Sequence, residues 1–537
     1  MTAAPQTFRE VERKLRVHAL FRLPDLSAAC SASVPQEALT LVATYYDTGD
    51  LRLARGGATL RRREGGGDDG WHLKLPSDDG APGARDEIRL PLDDAKTPPE
   101  PLLRLVLGLT RGLPVDAVAT LRTERSPYAL MAQDGRVIAE LTDDSVSVLD
   151  GTHVAGRFRE LEVETRDGTQ AELDAVVELL VASGAIEGGL PSKAVRALGP
   201  AASAPPDVPP PGRVRRSDPA GAALQAHLAR HTRAFLTQDT RVRRDLPDGV
   251  HQLRVAARRL RSGLKVFGPL VEREWANGLR TELAWIAAEL GEVRDREVQE
   301  ERLLRDLAAL PAVAPGDGTP LSGSAATAGG TAGVDRTDTR DVAAAMSVVR
   351  RAFDDERARA RAEVDEAMTS PRYLALLGAL VAASNAPQLT PAADAPCDAA
   401  LPPLVRKAWR QLARDADRLE QDGSDDSWHE VRIAGKRARY AAEALVPVFG
   451  AEAKTFARNL ERVTELLGEH QDAVIAADTT RRLASARRVT GTTGFVFGLL
   501  HEAERAAVTA TRHDFAAVWP EVSRRRHRDW LGRGRGE

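Results

Sequence analysis

The hydropathy period of this chain changes once, at a proline-rich break. Ahead of GPAASAPPDVPPPGR (199–213), apolar and polar residues alternate in FREVERKLRV, ATLRRRE, GWHLKLP, RDEIRLPL, RVIAELTDDSVSV and RFRELEVET. A period of two belongs to half-buried strands, and the Gly/Asp clusters between the segments mark turns. Beyond the break, Ala/Leu/Arg segments with a helical period take over. A chain divided in this way can be neither one sheet nor one bundle. It predicts an antiparallel β domain over 1–198 with a helix near 170–183, a semi-rigid Pro/Ala linker over 199–216, and an all-α domain over 217–532. A Gly/Ala/Thr/Asp-rich stretch without apolar period, about 311–341, predicts a disordered insertion within the second domain.

Charge narrows the partners. The 537 residues carry 75 basic and 78 acidic side chains, a formal charge of −3. That balance excludes a globally cationic nucleic-acid coat, so any polyanion site must arise from local segregation. Cys30 and Cys397 are the only cysteines, which excludes a disulfide framework and a cysteine zinc site. The N-terminal MTAAPQTFREVERK has no apolar signal core, and the longest apolar runs, about ten residues, are too short to span a bilayer. The expectation is a cytoplasmic protein with no membrane partner.

The strands place charge at every second position. Glu10, Glu12 and Lys14 share one face of their strand, as do Arg61 with Arg63, His72 with Lys74, Arg85 with Glu87 and Arg89, and Glu160 with Glu162 and Glu164. Two carboxylates about 4 Å apart repel by roughly 4 kcal/mol at an effective dielectric near 20. Paired acids on neighbouring strands suit a hard divalent cation, and separate Arg and Lys groups suit phosphate oxygens. Closing such a sheet would bring both sets inside a barrel.

These residues resemble the CYTH superfamily, the triphosphate tunnel metalloenzymes. Glu10-x-Glu12-x-Lys14 matches the family's ExExK signature, and YYDTGDLRLARGGATLRRR, WHLKLP, RTERSPY, ELEVE and PSKAVRAL follow in the family's order over about 7–198. The resemblance implies an eight-stranded antiparallel tunnel that holds a triphosphate and Mg²⁺ or Mn²⁺. Carried over, it makes Glu10, Glu12, Glu160 and Glu162 metal ligands, with Glu164 a weaker candidate. Lys14, Arg61, Arg63, Lys74, Arg125 and Lys193 would bind phosphates, and Glu10, Glu12 and Lys14 would serve catalysis. One more carboxylate is expected in ELTDDSV; Asp144 is preferred to Asp143 because it shares strand parity with Glu140. His72 is expected in the tunnel wall, and EGGGDDG (64–70) as a turn.

The second half repeats itself. His251, Arg254, Arg258 and Arg261 recur as His429, Arg432, Lys436 and Arg439, at offsets 0, 3, 7 and 10. Leu290-Gly-Glu292-Val-Arg-Asp295 recurs as Leu467-Gly-Glu469-His-Gln-Asp472. Those offsets trace one helical stripe beside an apolar one of Val250, Leu253, Ala257, Leu260, Leu264 and Phe267. No acid lies between Asp248 and Glu272 or between Glu430 and Glu443, so the stripes predict an external anion. Glu292, Asp295, Glu469 and Asp472 are candidate partners that orient the cations. The duplication resembles the CHAD domain, two four-helix bundles with a basic cleft for inorganic polyphosphate, over about 218–530. That resemblance implies polyanion contacts from the eight stripe residues, with Arg259, Arg437 and Lys265 as further candidates.

The expectation is metal-dependent hydrolysis of tripolyphosphate or a nucleoside triphosphate in the tunnel and polyphosphate binding by the helices, with an association with polyphosphate granules. A non-catalytic polyphosphate scaffold or sensor and an adenylyl cyclase are the alternatives. Nucleic acid is an unfavoured partner because the stripes lack interleaved aromatics for base stacking. Were all seven stripe cations (Arg254, Arg258, Arg261, Lys265, Arg432, Lys436, Arg439) to engage, log K would fall with log salt at a slope of about −5.

Overall fold

The computed structural model describes residues 5–77, 84–188, 191–310, 339–486 and 489–532. The expected insertion lies outside the described residues as far as 338. The chain forms two compact units, Met1–Pro209 and Pro210–Glu537.

The first unit contains β1 (Gln6–Arg16), β2 (Ala32–Pro35), β3 (Leu39–Asp47), α1 (Arg52–Arg55), β4 (Thr59–Glu64), β5 (Gly70–Pro76), β6 (Ala84–Pro91), α2 (Glu100–Thr110), β7 (Asp116–Met131), β8 (Val137–Asp150), β9 (His153–Thr165), α3 (Gln170–Ala182), β10 (Ile186–Glu187) and α4 (Lys193–Leu198). The order β1-β6-β5-β4-β3-β7-β8-β9, closed by antiparallel pairing of β9 with β1, makes an eight-stranded antiparallel barrel. β2 and β10 are short additions on β7 and β1.

The barrel is polar inside and apolar outside. Leu60, Leu73, Leu161 and Val163, which alternate with the charged residues, are all buried. Leu60 and Leu73 join a core with Leu102 and Val106 of α2, and Leu161 and Val163 join one with Leu173, Val176 and Leu180 of α3. Each such side chain contributes about 1.5–3 kcal/mol through its removal from water. This outward core holds the inward face in register, because a one-residue slip would exchange the two faces. α3 starts with a capping box between Thr169 and Glu172.

The proline-rich segment is anchored on this unit along its first half. Ala202 and Val208 are buried, and Asp207 pairs with Arg55 at 2.7 Å and with Arg111.

The second unit is helical: α5 (Ala220–Arg243), α6 (Gly249–Val266), α7 (Arg273–Ala309), α8 (Thr339–Thr369), α9 (Pro371–Asn385), α10 (Cys397–Ala416), α11 (Asp425–Phe449), α12 (Ala451–Ala484) and α13 (Gly491–Val522). Successive helices α5 to α8 pack as neighbours, as do α10 to α13, and α6 meets α11. The apolar stripe of α6 enters a core shared with Val431, Ala434, Ala438 and Leu445 of α11. The distal parts of α7, α8, α12 and α13 have their own core around Leu303, Phe353, Ala476 and Phe497. Among the described residues no helix is long and apolar enough to cross a membrane.

Candidate functional sites

Inward parity gathers the charged residues of the barrel into one cavity. Glu10, Glu12 and Lys14 of β1 line it, as do Arg61 and Arg63 of β4, Lys74 of β5, Arg125 of β7, Glu162 of β9 and Lys193 of α4. Tyr45, Thr59, Glu140, Thr142, Glu164 and Ser192 complete the lining. Glu12, Glu164 and Glu140 are successive register partners across β1, β9 and β8, so three carboxylates stand side by side. Glu140, which enters the sequence analysis only through its strand parity, stands opposite Glu164.

The barrel cations are paired with the protein's own acids. Lys14 Nζ lies 2.7 Å from Glu162 and 3.0 Å from Glu12. Lys74 pairs with Glu10, and Arg63 with Asp68. Lys193 lies 2.9 Å from Asp144, 2.9 Å from Glu160 and 2.8 Å from Glu162. Arg125 reaches Asp144 at 2.7 Å and Glu162 at 3.0 Å. Glu12 and Asp68 are near their cations in sequence, whereas Glu10, Asp144, Glu160 and Glu162 come from other strands, beyond the reach of a local scan. Satisfaction is incomplete: Arg61 Nε and Arg63 Nε are buried without a hydrogen-bond partner among the described residues.

Asp144 and Glu160, expected among the metal ligands, do not line the cavity. Both are wholly buried, paired with Lys193, Arg125 and Arg196. Asp143 points elsewhere, to Arg159 at 2.6 Å. His72 is buried beside the cavity with Nδ1 2.9 Å from Glu87; burial, together with Arg61 and Arg63, lowers its pKa to about 4, so it is neutral at pH 7.

The electrostatics follow from these pairings. Burial alone would raise the Glu12 and Glu162 carboxyls, but Lys14 at both, with Lys193 at Glu162, holds them below the ordinary range. Burial and the neighbouring Arg61 and Arg125 push Arg63 down to about 9. Glu164 is raised by burial, with Glu10 and Glu140 adding to the rise.

Among the described residues no cluster of acid, His or Cys groups is gathered as a metal site. The donor chemistry nevertheless fits a hard divalent cation. Glu10, Glu12, Glu140 and Glu164 present carboxylate oxygens to one cavity, and burial, with repulsion from Glu10 and Glu140 added, raises Glu164, an imbalance that a divalent cation relieves.

In the helical unit, the two repeats face a common space. Lys436 of α11 feels Arg432, Arg258 and Arg254 together, and Arg432 feels Arg258. The stripes divide into paired and unpaired cations. Arg254 holds Asp295 at 2.6 Å, and Arg439 holds Glu443 at 2.7 Å, Thr464 and Glu461. Arg258, Arg261, Arg432 and Lys436 have no ion pair among the described residues, and Arg258 Nε and Arg432 Nε are buried and unsatisfied. Burial first, then the surrounding guanidiniums, push Lys436 down to about 7. His251 is lowered by burial and Arg294, while His429 Nδ1 meets Gln471 at 2.5 Å. Of the expected orienting acids, Asp295 holds Arg254, Asp472 acts on Arg432, Glu469 pairs with the buried Arg302 at 2.7 Å, and Glu292 pairs with Arg296 at 2.5 Å.

A CYTH domain matches residues 9–197 and a CHAD domain residues 226–481. Two proteins of Mycobacterium tuberculosis, uncharacterized protein MT2285 and uncharacterized protein Rv2226, are each 32% identical over 544 residues, covering 96% of this chain and 96% of the relative. The chain therefore belongs to the proteins that join a CYTH domain to a CHAD domain. Among solved structures, PptA from Streptomyces chartreusis is 26% identical, covering 56% of this chain and 99% of its own, with a TM-score of 0.45. The CHAD domain from Ricinus communis is 23% identical, covering 56% and 94%, with a TM-score of 0.41.

Proposed function

We propose that the CYTH barrel hydrolyses inorganic triphosphate, or a related triphosphate, with Mg²⁺ or Mn²⁺, and that the CHAD helices bind inorganic polyphosphate. The observation that carries this reading is that one enclosed cavity is lined both by Glu10, Glu12, Glu140, Glu162 and Glu164 and by Lys14, Arg61, Arg63, Lys74, Arg125 and Lys193. A triphosphate requires several cations at fixed places, and its hydrolysis develops charge that fixed cations stabilise.

Glu10, Glu12 and Glu164, with Glu140 and Glu162 beside them, would hold the metal. When bound it supplies Lewis-acid charge neutralisation on phosphoryl oxygens. Lys14 and Lys74 exchange their protein carboxylates for phosphate oxygens, and the unsatisfied Arg61 Nε and Arg63 Nε gain acceptors while the outer edge of Arg63 stays with Asp68. Water attacks the terminal phosphorus, the bond to the bridging oxygen breaks, and the shortened chain leaves as the anion. Asp144 and Glu160 act through Lys193 and Arg125, which they fix in place.

For the helices, the supporting observation is the cluster of Arg258, Arg432 and Lys436, which forms no ion pair among the described residues and keeps Arg258 Nε and Arg432 Nε unsatisfied. Phosphate release from tripolyphosphate, long-chain polyphosphate, ATP and thiamine triphosphate, with Mg²⁺, Mn²⁺ or chelator, tests the enzyme reading. The expected result is metal-dependent release from tripolyphosphate that Glu10→Ala/Glu12→Ala abolishes. Undiminished release from that variant overturns it.

A further inference from the structure

The cavity is bounded near Arg63 by carboxylates of the protein. The β4–β5 hairpin turns through Gly65, whose φ is +87° and where a Cβ would meet the Thr40 carbonyl oxygen at 2.2 Å. Only glycine fits there, and the turn carries Asp68 onto Arg63. Asp68 also reaches Arg89 at 4.0 Å, and its backbone oxygen meets His72 Nε2 at 2.9 Å. Glu87 stands in the same partition, 2.9 Å from His72, 3.6 Å from Arg61 and 3.8 Å from Lys74, with its other oxygen on Arg89. Beyond lies a second recess, lined by Phe8, Asp68, Asp69, His72 and Arg89.

The two partition acids differ. Glu87 is 1% exposed and belongs to a central strand. Asp68 is 35% exposed, sits on a hairpin and is the acid paired with Arg63, a cation that faces the cavity. A phosphate chain extending past Arg61 would need the edge of Arg63 that Asp68 holds.

We propose that Asp68 determines chain length: its carboxylate takes the place at Arg63 that a fourth phosphate would need, so the barrel prefers a triphosphate to longer chains. The inference rests on the triphosphatase reading and adds a specificity residue to it. Asn at 68 keeps the size of the side chain but removes the charge that excludes the next phosphate.

The test compares kcat/KM for tripolyphosphate and tetrapolyphosphate in the full chain, with Asp68→Asn, Asp68→Ser and Asp69→Asn. Wild type is expected to favour tripolyphosphate. Asp68→Asn raises the tetra-to-tri ratio about tenfold or more, mainly through KM for the longer chain. Asp68→Ser does the same, and serves if Asp68→Asn fails to fold. Asp69→Asn leaves the ratio unchanged. A ratio unmoved by both Asp68 variants, an equal shift in Asp69→Asn, or a wild type indifferent to chain length overturns the inference. Wild type inactive on both substrates overturns the triphosphatase reading, and this inference falls with it.

Discussion

The Lys193 ammonium and the Asp144 carboxylate face each other at 2.9 Å behind the wall of the barrel cavity. Asp144 has no solvent-exposed surface and also takes two hydrogen bonds from Arg125, at 2.8 and 2.7 Å. An acid so enclosed serves the cations in front of it. Removing it leaves Lys193 and Arg125 short of charge in a buried site, a loss typically costing about 3–5 kcal/mol. Asp144→Ala is therefore expected to lower the denaturation midpoint of the barrel sharply, with phosphate added or not. Chemical denaturation followed by a probe in the barrel checks this; an unchanged midpoint contradicts it.

Glu164 behaves in the opposite sense. Burial, with Glu10 and Glu140 nearby, disfavours its charge. A carboxylate whose folded pKa is raised weakens folding at every pH where it is ionised. Glu164→Gln is expected to stabilise the barrel at pH 7 and to cut metal-dependent phosphate release by about tenfold or more, raising the metal concentration needed for half activity. Thermal melts paired with a metal titration test both; a destabilised variant with full activity contradicts the assignment.

Pairing also revises the expected salt dependence of polyphosphate binding. Arg254 and Arg439 already hold Asp295 and Glu443, which leaves Arg258, Arg261, Lys265, Arg432 and Lys436. At about 0.7 per contact, borrowed from single-stranded nucleic acids, the slope of log K against log salt is expected near −3.5 rather than −5. Arg258→Ala and Arg432→Ala should each reduce it by about 0.7. Arg439→Ala should act more on helix stability, because it strands Glu461 and leaves Glu443 to Arg259. Polyphosphate titrations at several ionic strengths distinguish these outcomes.

The alternation of Glu10-Val11-Glu12 and Leu73-Lys74 separated a charged face from an apolar one by parity, while closure into a barrel with the charge inside followed from the resemblance to the CYTH superfamily. β7 (Asp116–Met131) was legible only around Arg125, since small residues and Pro127 blur its period. Parity tells which side chains turn inward but not which of them meet. That depends on closure of β9 on β1, which sets Lys14 opposite Glu162, residues 148 positions apart. The same limit hid Asp68, which sits in a glycine turn, and the Asp295 partner of Arg254, which lies on another helix. In α6 and α11 the repeat gave the stripe positions of the cations, while their division into paired and unpaired groups came only with packing.

Lys436 gives the cleft a pH response. Burial comes first among the causes that lower it to about 7, followed by Arg432 and Arg258; Asp472 opposes them and Arg254 adds to them. The unfolded value is 10.5, so between about pH 7 and 10.5 the unfolded chain holds a proton that the folded chain lacks. The cost of that charge is fully present below pH 7 and disappears as pH rises through that window. A polyanion reverses the balance by favouring the protonated amine. Polyphosphate affinity should therefore be greatest below pH 7 and fall above it, approaching at most about tenfold per pH unit for one linked proton. Lys436→Arg carries charge throughout and should keep tight binding at pH 8 with a flattened profile. Lys436→Met should bind more weakly at pH 6 and be equally flat. Titrations from pH 6 to 9 at constant ionic strength decide the matter: a wild-type slope that survives intact in Lys436→Arg assigns the proton to another group.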